Sequence, residues 1–120
     1  MKKKIFFAED EVTMRETLRE AFEEEGFEVE TAPDGEDAIS KIKNGKFDLI
    51  LLDIILPKKD GFEVLEEIKK ENLKTPVILL TNLSGAEDVQ KALGLGARNY
   101  LVKSNYKLRE IVEKVRENLD

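Results

Sequence analysis

The chain has 120 residues, of which 20 are basic and 26 acidic, for a net charge of −6. That length suits one domain with a buried core, and the acidic balance works against direct contact with nucleic-acid phosphate. Cysteine and histidine are both absent, which excludes disulfides, thiolate nucleophiles, Ser-His-Asp triads and the usual zinc sites.

Any chemistry therefore falls to carboxylates, hydroxyls, lysine, backbone groups and a bound ion. No apolar run approaches the ~20 residues that span a bilayer. The apolar segment after Lys2-Lys3-Lys4 is cut short by Glu9-Asp10-Glu11, too early for a signal peptide. A cytoplasmic location without membrane contact is expected. Charged residues make up 38% of the chain, a share common to heat-stable and to redesigned proteins.

Two hydrophobic periods alternate along the chain. Ile5-Phe6-Phe7-Ala8 reads as a first strand. Met14, Leu18 and Phe22 recur at helical spacing, and Gly26 closes that helix. Val29 to Ala32 is a weaker, more polar strand. Ala38, Ile39 and Ile42 mark a second helix, stopped near Asn44-Gly45. Leu49-Ile50-Leu51-Leu52 is the strongest strand signal. Asp60-Gly61 opens a third helix carrying Leu65 and Ile68. Val77-Ile78-Leu79-Leu80 is the fourth strand, and Val89, Ala92 and Leu93 mark a fourth helix ending around Gly94 and Gly96. Tyr100-Leu101-Val102 is the fifth strand. Leu108, Ile111, Val112, Val115 and Leu119 mark the last helix. Short branched runs alternating with helices predict an α/β fold: a parallel five-stranded sheet, doubly wound, with helices on both faces. No linker or repeat interrupts it, so residues 1–120 read as one domain.

Ligands of open parallel sheets bind at the carboxyl ends of the strands. The first strand delivers Glu9 and Asp10 there, the third Asp53, the fourth Thr81 and the fifth Lys103. The second delivers only the turn Ala32-Pro33. Asp53 lies between Ile50-Leu51-Leu52 and Ile54-Ile55-Leu56, where a carboxylate is costly unless paired or bound to a cation. A satisfied structural Asp is the plainer reading of that residue alone. Glu9-Asp10 has a plainer reading too, since Asp10 or Glu11 can cap the following helix. Thr81 and Lys103, each taken alone, are an ordinary strand-end threonine and an ordinary exposed lysine. Together, three converging carboxylates repel one another, and a hard divalent cation with all-oxygen preference relieves that. Three carboxylates, one ammonium and Mg²⁺ sum to zero charge.

The ordered set of Glu9-Asp10, Asp53, Leu56-Pro57, Asp60-Gly61, Thr81, Gly96-Ala97 with Tyr100, and Lys103 resembles the receiver domain of two-component response regulators, the chemotaxis-regulator-like superfamily, along essentially the whole chain. The resemblance implies a flavodoxin-like (βα)5 fold with strand order 2-1-3-4-5. It implies that Asp53 is the phosphoacceptor, taking a phosphoryl group from a phosphohistidine on a histidine kinase or phosphotransfer protein, or from a small acyl phosphate. Glu9, Asp10 and Asp53, with the backbone carbonyl of Ile55, would hold Mg²⁺ or Mn²⁺. Lys103 would pair with the phosphoryl oxygens, Thr81 would hydrogen-bond to them, and Tyr100 would turn inward as Thr81 moves. A downstream effector or output domain would read the face of the fourth helix, fifth strand and fifth helix, drawing here on Leu95, Tyr100 and Leu108. Such a domain is a switch that assists its own phosphorylation and dephosphorylation, not a turnover enzyme.

Two residues depart from the family pattern. Ser104 follows Lys103 where a cis proline is usual, and a cis bond before serine would cost about 3 kcal/mol, so a different loop is expected. Asn82 follows Thr81 where a small residue is frequent, and its bulk would restrict attack on an acyl phosphate. The alternative to a phosphorylated switch is a binding or scaffold module, natural or engineered, that keeps the fold without using the pocket. A flavin carrier of similar topology is disfavoured because Glu9-Asp10-Glu11 would repel its phosphate. An aspartate-nucleophile phosphatase would want a second Asp where Ile55 stands.

Overall fold

The computed structural model describes residues 2–119. Five strands alternate with five α-helices: β1 Lys4–Ala8, α1 Val12–Glu24, β2 Glu28–Ala32, α2 Gly35–Asn44, β3 Leu49–Leu52, α3 Gly61–Lys70, β4 Val77–Thr81, α4 Ala86–Gly94, β5 Asn99–Val102 and α5 Leu108–Glu117. All strand pairs are parallel, in the order β2-β1-β3-β4-β5. This is the doubly wound, flavodoxin-like arrangement expected from the sequence.

Strand alternation sorts the core into two layers. Phe6, Ala8, Ile50, Leu52 and Leu79 face the helices α2, α3 and α4 through Ala38, Ile42, Leu65 and Ala92. Ile5, Phe7, Leu49, Leu51, Ile78 and Leu80 face α1 and α5 through Leu18, Phe22, Ile111 and Val115. β3 and β4 are buried at every position, which is why both are apolar runs, with Thr81 only at the end of β4. β2, at the sheet edge, is exposed at Glu28 and half-buried at Val29 and Glu30, and its signal is correspondingly weak.

The helix starts differ in a way that matters for the site. Asp34 accepts the Asp37 N–H at the start of α2, and Asp60 and Glu63 form a reciprocal capping box on α3. The N-cap of α1 is Glu11, whose side chain makes no capping bond. Gly61 is required by close approach: a Cβ there would overlap the Asp53 carbonyl oxygen and sit 2.6 Å from Ile54 Cα. The Gly61 N–H donates to the Ile54 carbonyl at 2.8 Å, so α3 is tied to the segment leaving β3. Gly26 ends α1 with φ +92°, in the left-handed conformation expected of it.

Two apolar residues of the helical patterns stand in solvent. Leu93 is 47% exposed and Leu108 38%. Only Ala92 of α4 is buried, because α4 lies shallowly beside β5. Leu108 is the first residue of α5 and keeps part of its side chain in solvent.

Candidate functional site

β1 and β3 are neighbours in register, with Ala8 opposite Leu52, so the next residues, Glu9 and Asp53, emerge side by side. The Asp53 N–H donates to the Ala8 carbonyl at 3.2 Å, and the Glu9 N–H to the Ala32 carbonyl at 3.0 Å. These bonds prolong the ladders past the strand ends and fix both backbones. Both residues are buried, at 1% and 3% exposure, whereas Asp10 is exposed. Asp53 Oδ1 accepts the Ile55 N–H at 3.1 Å, and Glu9 Oε2 accepts the Glu11 N–H at 3.0 Å. One carboxylate oxygen each from Glu9, Asp10 and Asp53 lie within 4.8 Å of one another.

Lys103, 50 positions from Asp53, closes the cluster. Its Nζ donates to Asp53 Oδ2 at 2.6 Å and also to Glu9 Oε1. Burial pulls the ammonium toward its neutral form, but the hydrogen bonds to Asp53 and Glu9 outweigh that and hold its pKa above the usual lysine value. Burial pushes the Glu9 carboxyl above the ordinary carboxylate range, against the Lys103 and Glu11 hydrogen bonds that lower it, and the Asp53 charge adds to the rise. One ammonium therefore does not fully compensate the carboxylates: three at −1 with Lys103 at +1 leave −2. An all-oxygen, doubly charged remainder is what a hard divalent cation matches, and the pocket fits one.

Beside this group lies a second chain of contacts. Thr81, fully buried at the end of β4, accepts the Leu83 N–H on its Oγ1 at 3.4 Å. The Leu83 carbonyl accepts the Tyr100 hydroxyl at 2.6 Å. Tyr100 packs half-buried against the α2–α4 side of the core, so in this structure it already lies inward. Burial, then the nearby Asp88 and Asp53 charges, raise its pKa above the ordinary tyrosine value. Asn82 is exposed, Ile55 is 55% exposed at the pocket mouth, and Leu95 packs half-buried against the same core side as Tyr100. The Lys103–Ser104 bond is trans, and Lys103–Asn105 form one turn of 3-10 helix. A trans bond here avoids the cost of a cis bond before serine.

The capping role open to Asp10 or Glu11 is not taken: neither caps α1, and the Glu9 carboxylate reaches the Glu11 N–H instead. A residue not singled out from sequence also belongs here. Arg15 Nη1 donates to the Glu9 carbonyl at 2.9 Å and reaches the Asp10 carbonyl at 3.4 Å. Its sequence signal is slight: an arginine one turn into a helix that has no N-terminal cap. No helix among the described residues is long and apolar enough to cross a membrane.

Residues 5–116 match the family model described as the response regulator receiver domain. The chain is 39% identical over 118 residues to the alkaline phosphatase synthesis transcriptional regulatory protein PhoP of Bacillus subtilis, covering 97% of this chain and 48% of that protein. It is 35% identical over 113 residues to the transcriptional regulatory protein DltR of Streptococcus agalactiae, covering 94% of this chain and 50% of the relative. The chain thus spans about half the length of the curated relatives it matches.

Among solved structures, a CheY-like response regulator receiver domain protein from Methanospirillum hungatei superposes with a TM-score of 0.94 at 32% identity, covering 100% of this chain and 95% of that one. The response regulator TrrA from Thermotoga maritima, in complex with Mg²⁺-BeF, gives 0.85 at 39% identity, covering 96% and 97%. With the fold, the acidic pocket and these relatives in agreement, the chain belongs to the receiver domains of two-component response regulators, signalling modules that switch by phosphorylation.

Proposed function

We propose that Asp53 is the phosphoacceptor of this receiver and that its phosphorylation is passed to the α4–β5–α5 face through Thr81, Leu83 and Tyr100. The observation carrying this reading is the placement of Asp53. It is a buried carboxylate at the carboxyl end of a central strand, paired with Lys103 and within ligand distance of Glu9 and Asp10. Mg²⁺, or Mn²⁺, held by Glu9, Asp10, Asp53 and the Ile55 carbonyl, would offset the negative charge that gathers as a phosphoryl group approaches the carboxylates. The TrrA structure was solved with Mg²⁺-BeF, and the carboxylate oxygens here suit the same hard cation.

The chemistry needs positioning and charge stabilisation more than a base, which suits a chain without histidine. An Asp53 carboxylate oxygen attacks phosphorus in line. The P–N bond of a donor phosphohistidine, or the P–O bond of a small acyl phosphate, breaks, and its electron pair leaves with the donor. Lys103, now on both carboxylates, follows the charge onto the phosphoryl oxygens. The Thr81 hydroxyl turns to donate to one of them, giving up the Leu83 N–H. Because Leu83 also holds the Tyr100 hydroxyl, the β4–α4 segment and Tyr100 move as a unit.

The donor is a histidine kinase or phosphotransfer protein, and the reader an effector or output domain. The curated relatives are transcriptional regulators by name, in keeping with an output domain elsewhere in those proteins. The net charge of −6 leaves contact with DNA to such a domain. The receiver assists only its own modification and turns over no external substrate.

Intact mass after incubation with a small acyl phosphate, with and without Mg²⁺ and beside Asp53→Asn, tests this. A Mg²⁺-dependent phosphoryl adduct absent from the variant is expected. A folded wild type that binds Mg²⁺ yet takes no phosphoryl group, or an adduct that survives in Asp53→Asn, overturns it. The scaffold reading is not favoured, since every carboxylate and the lysine of the pocket are in place.

A further inference from the structure

The three carboxylates of the pocket come from two segments; sheet bonds hold Glu9 and Asp53 at their own N–H groups, but beyond that point the two segments are held differently. Asp53 is fixed by β3 and by Gly61 behind it. Glu9 and Asp10 sit on the turn between β1 and α1, which lacks the side-chain cap that secures α2 and α3. Two contacts replace that cap. The Glu9 carboxylate accepts the Glu11 N–H, and the half-buried Arg15 guanidinium bridges the successive carbonyls of Glu9 and Asp10. The first of these uses a carboxylate that a cation would also claim. The second uses only backbone oxygens and can persist when the pocket is filled.

Taking the acidic pocket as a divalent-cation site, as above, we infer that Arg15 is a positioning residue for that site, clamping the Glu9-Asp10 turn so that both carboxylates meet the cation in fixed geometry. The inference carries a sign that charge alone would reverse. A guanidinium beside the pocket repels a dication, so its removal by itself tightens cation binding. Loss of a clamp loosens the ligands and weakens it; outer partners of metal ligands typically change affinity by about 10- to 100-fold. The effect also depends on the ion. Mg²⁺ demands a near-regular octahedron, whereas Ca²⁺ tolerates irregular shells. A loosened turn therefore penalises Mg²⁺ more than Ca²⁺, while a change in charge or global stability affects both alike.

The test is calorimetric titration of Mg²⁺ and Ca²⁺ into wild type, Arg15→Gln and Arg15→Lys, with thermal unfolding of each without cation. Arg15→Gln is expected to weaken Mg²⁺ binding about tenfold or more and to lower the Mg²⁺:Ca²⁺ affinity ratio. Both contacts are made by Nη1; Arg15→Lys keeps the charge, but its ammonium ends one bond short of that position, so it recovers part of the loss and serves as the folded variant should Arg15→Gln unfold. Unchanged or tighter Mg²⁺ binding in Arg15→Gln, full recovery of the affinity ratio in Arg15→Lys, or equal losses for the two ions overturns the inference. A wild type that binds neither cation overturns the reading of the pocket and the inference with it.

Discussion

Lys103 Nζ lies 2.6 Å from Asp53 Oδ2 and is bonded at the same time to Glu9, so one ammonium sits between two buried carboxylates of the acidic pocket. Removing one partner from a buried pair strands the rest. Lys103→Met is expected to cost about 3 kcal/mol in unfolding free energy without divalent cation, toward the low end for such a loss. The Glu9 carboxyl, already held above its ordinary pKa by burial, relieves part of it by taking a proton. Saturating Mg²⁺ should then stabilise the variant more than wild type, because no lysine need be drawn off the carboxylates. Urea unfolding with and without Mg²⁺ measures both quantities. An equal Mg²⁺ effect in the two proteins would show that Lys103 and the cation do not compete.

The sheet is legible because β3 and β4 are buried on both faces, so apolar residues fill them up to Thr81 at the end of β4. Glu9, Asp10, Asp53 and Lys103 were legible as a group because each stands just past a strand, where a parallel sheet collects its functional residues. Contacts between them were not. Glu9 and Lys103 are 94 positions apart, and no local pattern reports that they touch. Depth of burial is not legible either: helical spacing marks α4 through Val89, Ala92 and Leu93 without saying how deeply the helix is seated, and α4 buries only Ala92. Arg15 was missed because a charged residue on a helix otherwise reads as solvated. Its role depends on two backbone oxygens that no sequence pattern displays.

Gly61→Ala probes the backing of Asp53. Alanine favours a helix over glycine by up to about 1 kcal/mol, but a Cβ at this position would meet the Asp53 carbonyl oxygen and Ile54 Cα. Both are backbone atoms and cannot rotate away. A net loss of about 1–3 kcal/mol is expected, together with slower phosphorylation as the Asp53 turn is displaced. Gly94→Ala, at the end of α4 where a Cβ meets nothing within 4 Å, should instead be neutral or stabilising by up to about 1 kcal/mol. Denaturant midpoints for the pair decide the point. Equal effects at the two positions would remove close approach as the reason for Gly61.

Tyr100→Phe removes the hydroxyl that holds the Leu83 carbonyl, a net loss of about 1 kcal/mol. The pH dependence has a definite sign. Burial, then the Asp88 and Asp53 charges, raise the Tyr100 pKa in the folded state. The native protein then retains this proton where the unfolded chain has lost it, and stability falls with rising pH in that interval. The wild-type advantage should be complete below about pH 10, the unfolded tyrosine value, and should shrink as pH rises through the folded one. Unfolding free energies of both proteins across that range test this, with the tyrosinate absorbance difference assigning the titration. An advantage that is constant or grows above pH 10 would contradict it.

Asp10 is the exposed member of the carboxylate trio. Of its contacts with the rest of the molecule, the one toward Arg15 is made by its main-chain carbonyl, which substitution leaves in place. Asp10→Asn should therefore change stability without cation by no more than about 0.5 kcal/mol, as for an ordinary surface substitution. Cation linkage is a separate matter. A ligand that binds only the folded state adds about 1.4 kcal/mol for each tenfold rise in its concentration above the dissociation constant. The wild type should follow that slope with Mg²⁺, and chelation should reverse it. In Asp10→Asn the loss of one charged ligand should move the onset to at least about tenfold higher Mg²⁺, leaving the cation-free baseline where it was. Thermal midpoints across a Mg²⁺ series separate the two effects. A variant whose baseline falls while its Mg²⁺ response stays wild-type would make Asp10 a structural residue and leave the cation to Glu9 and Asp53 alone.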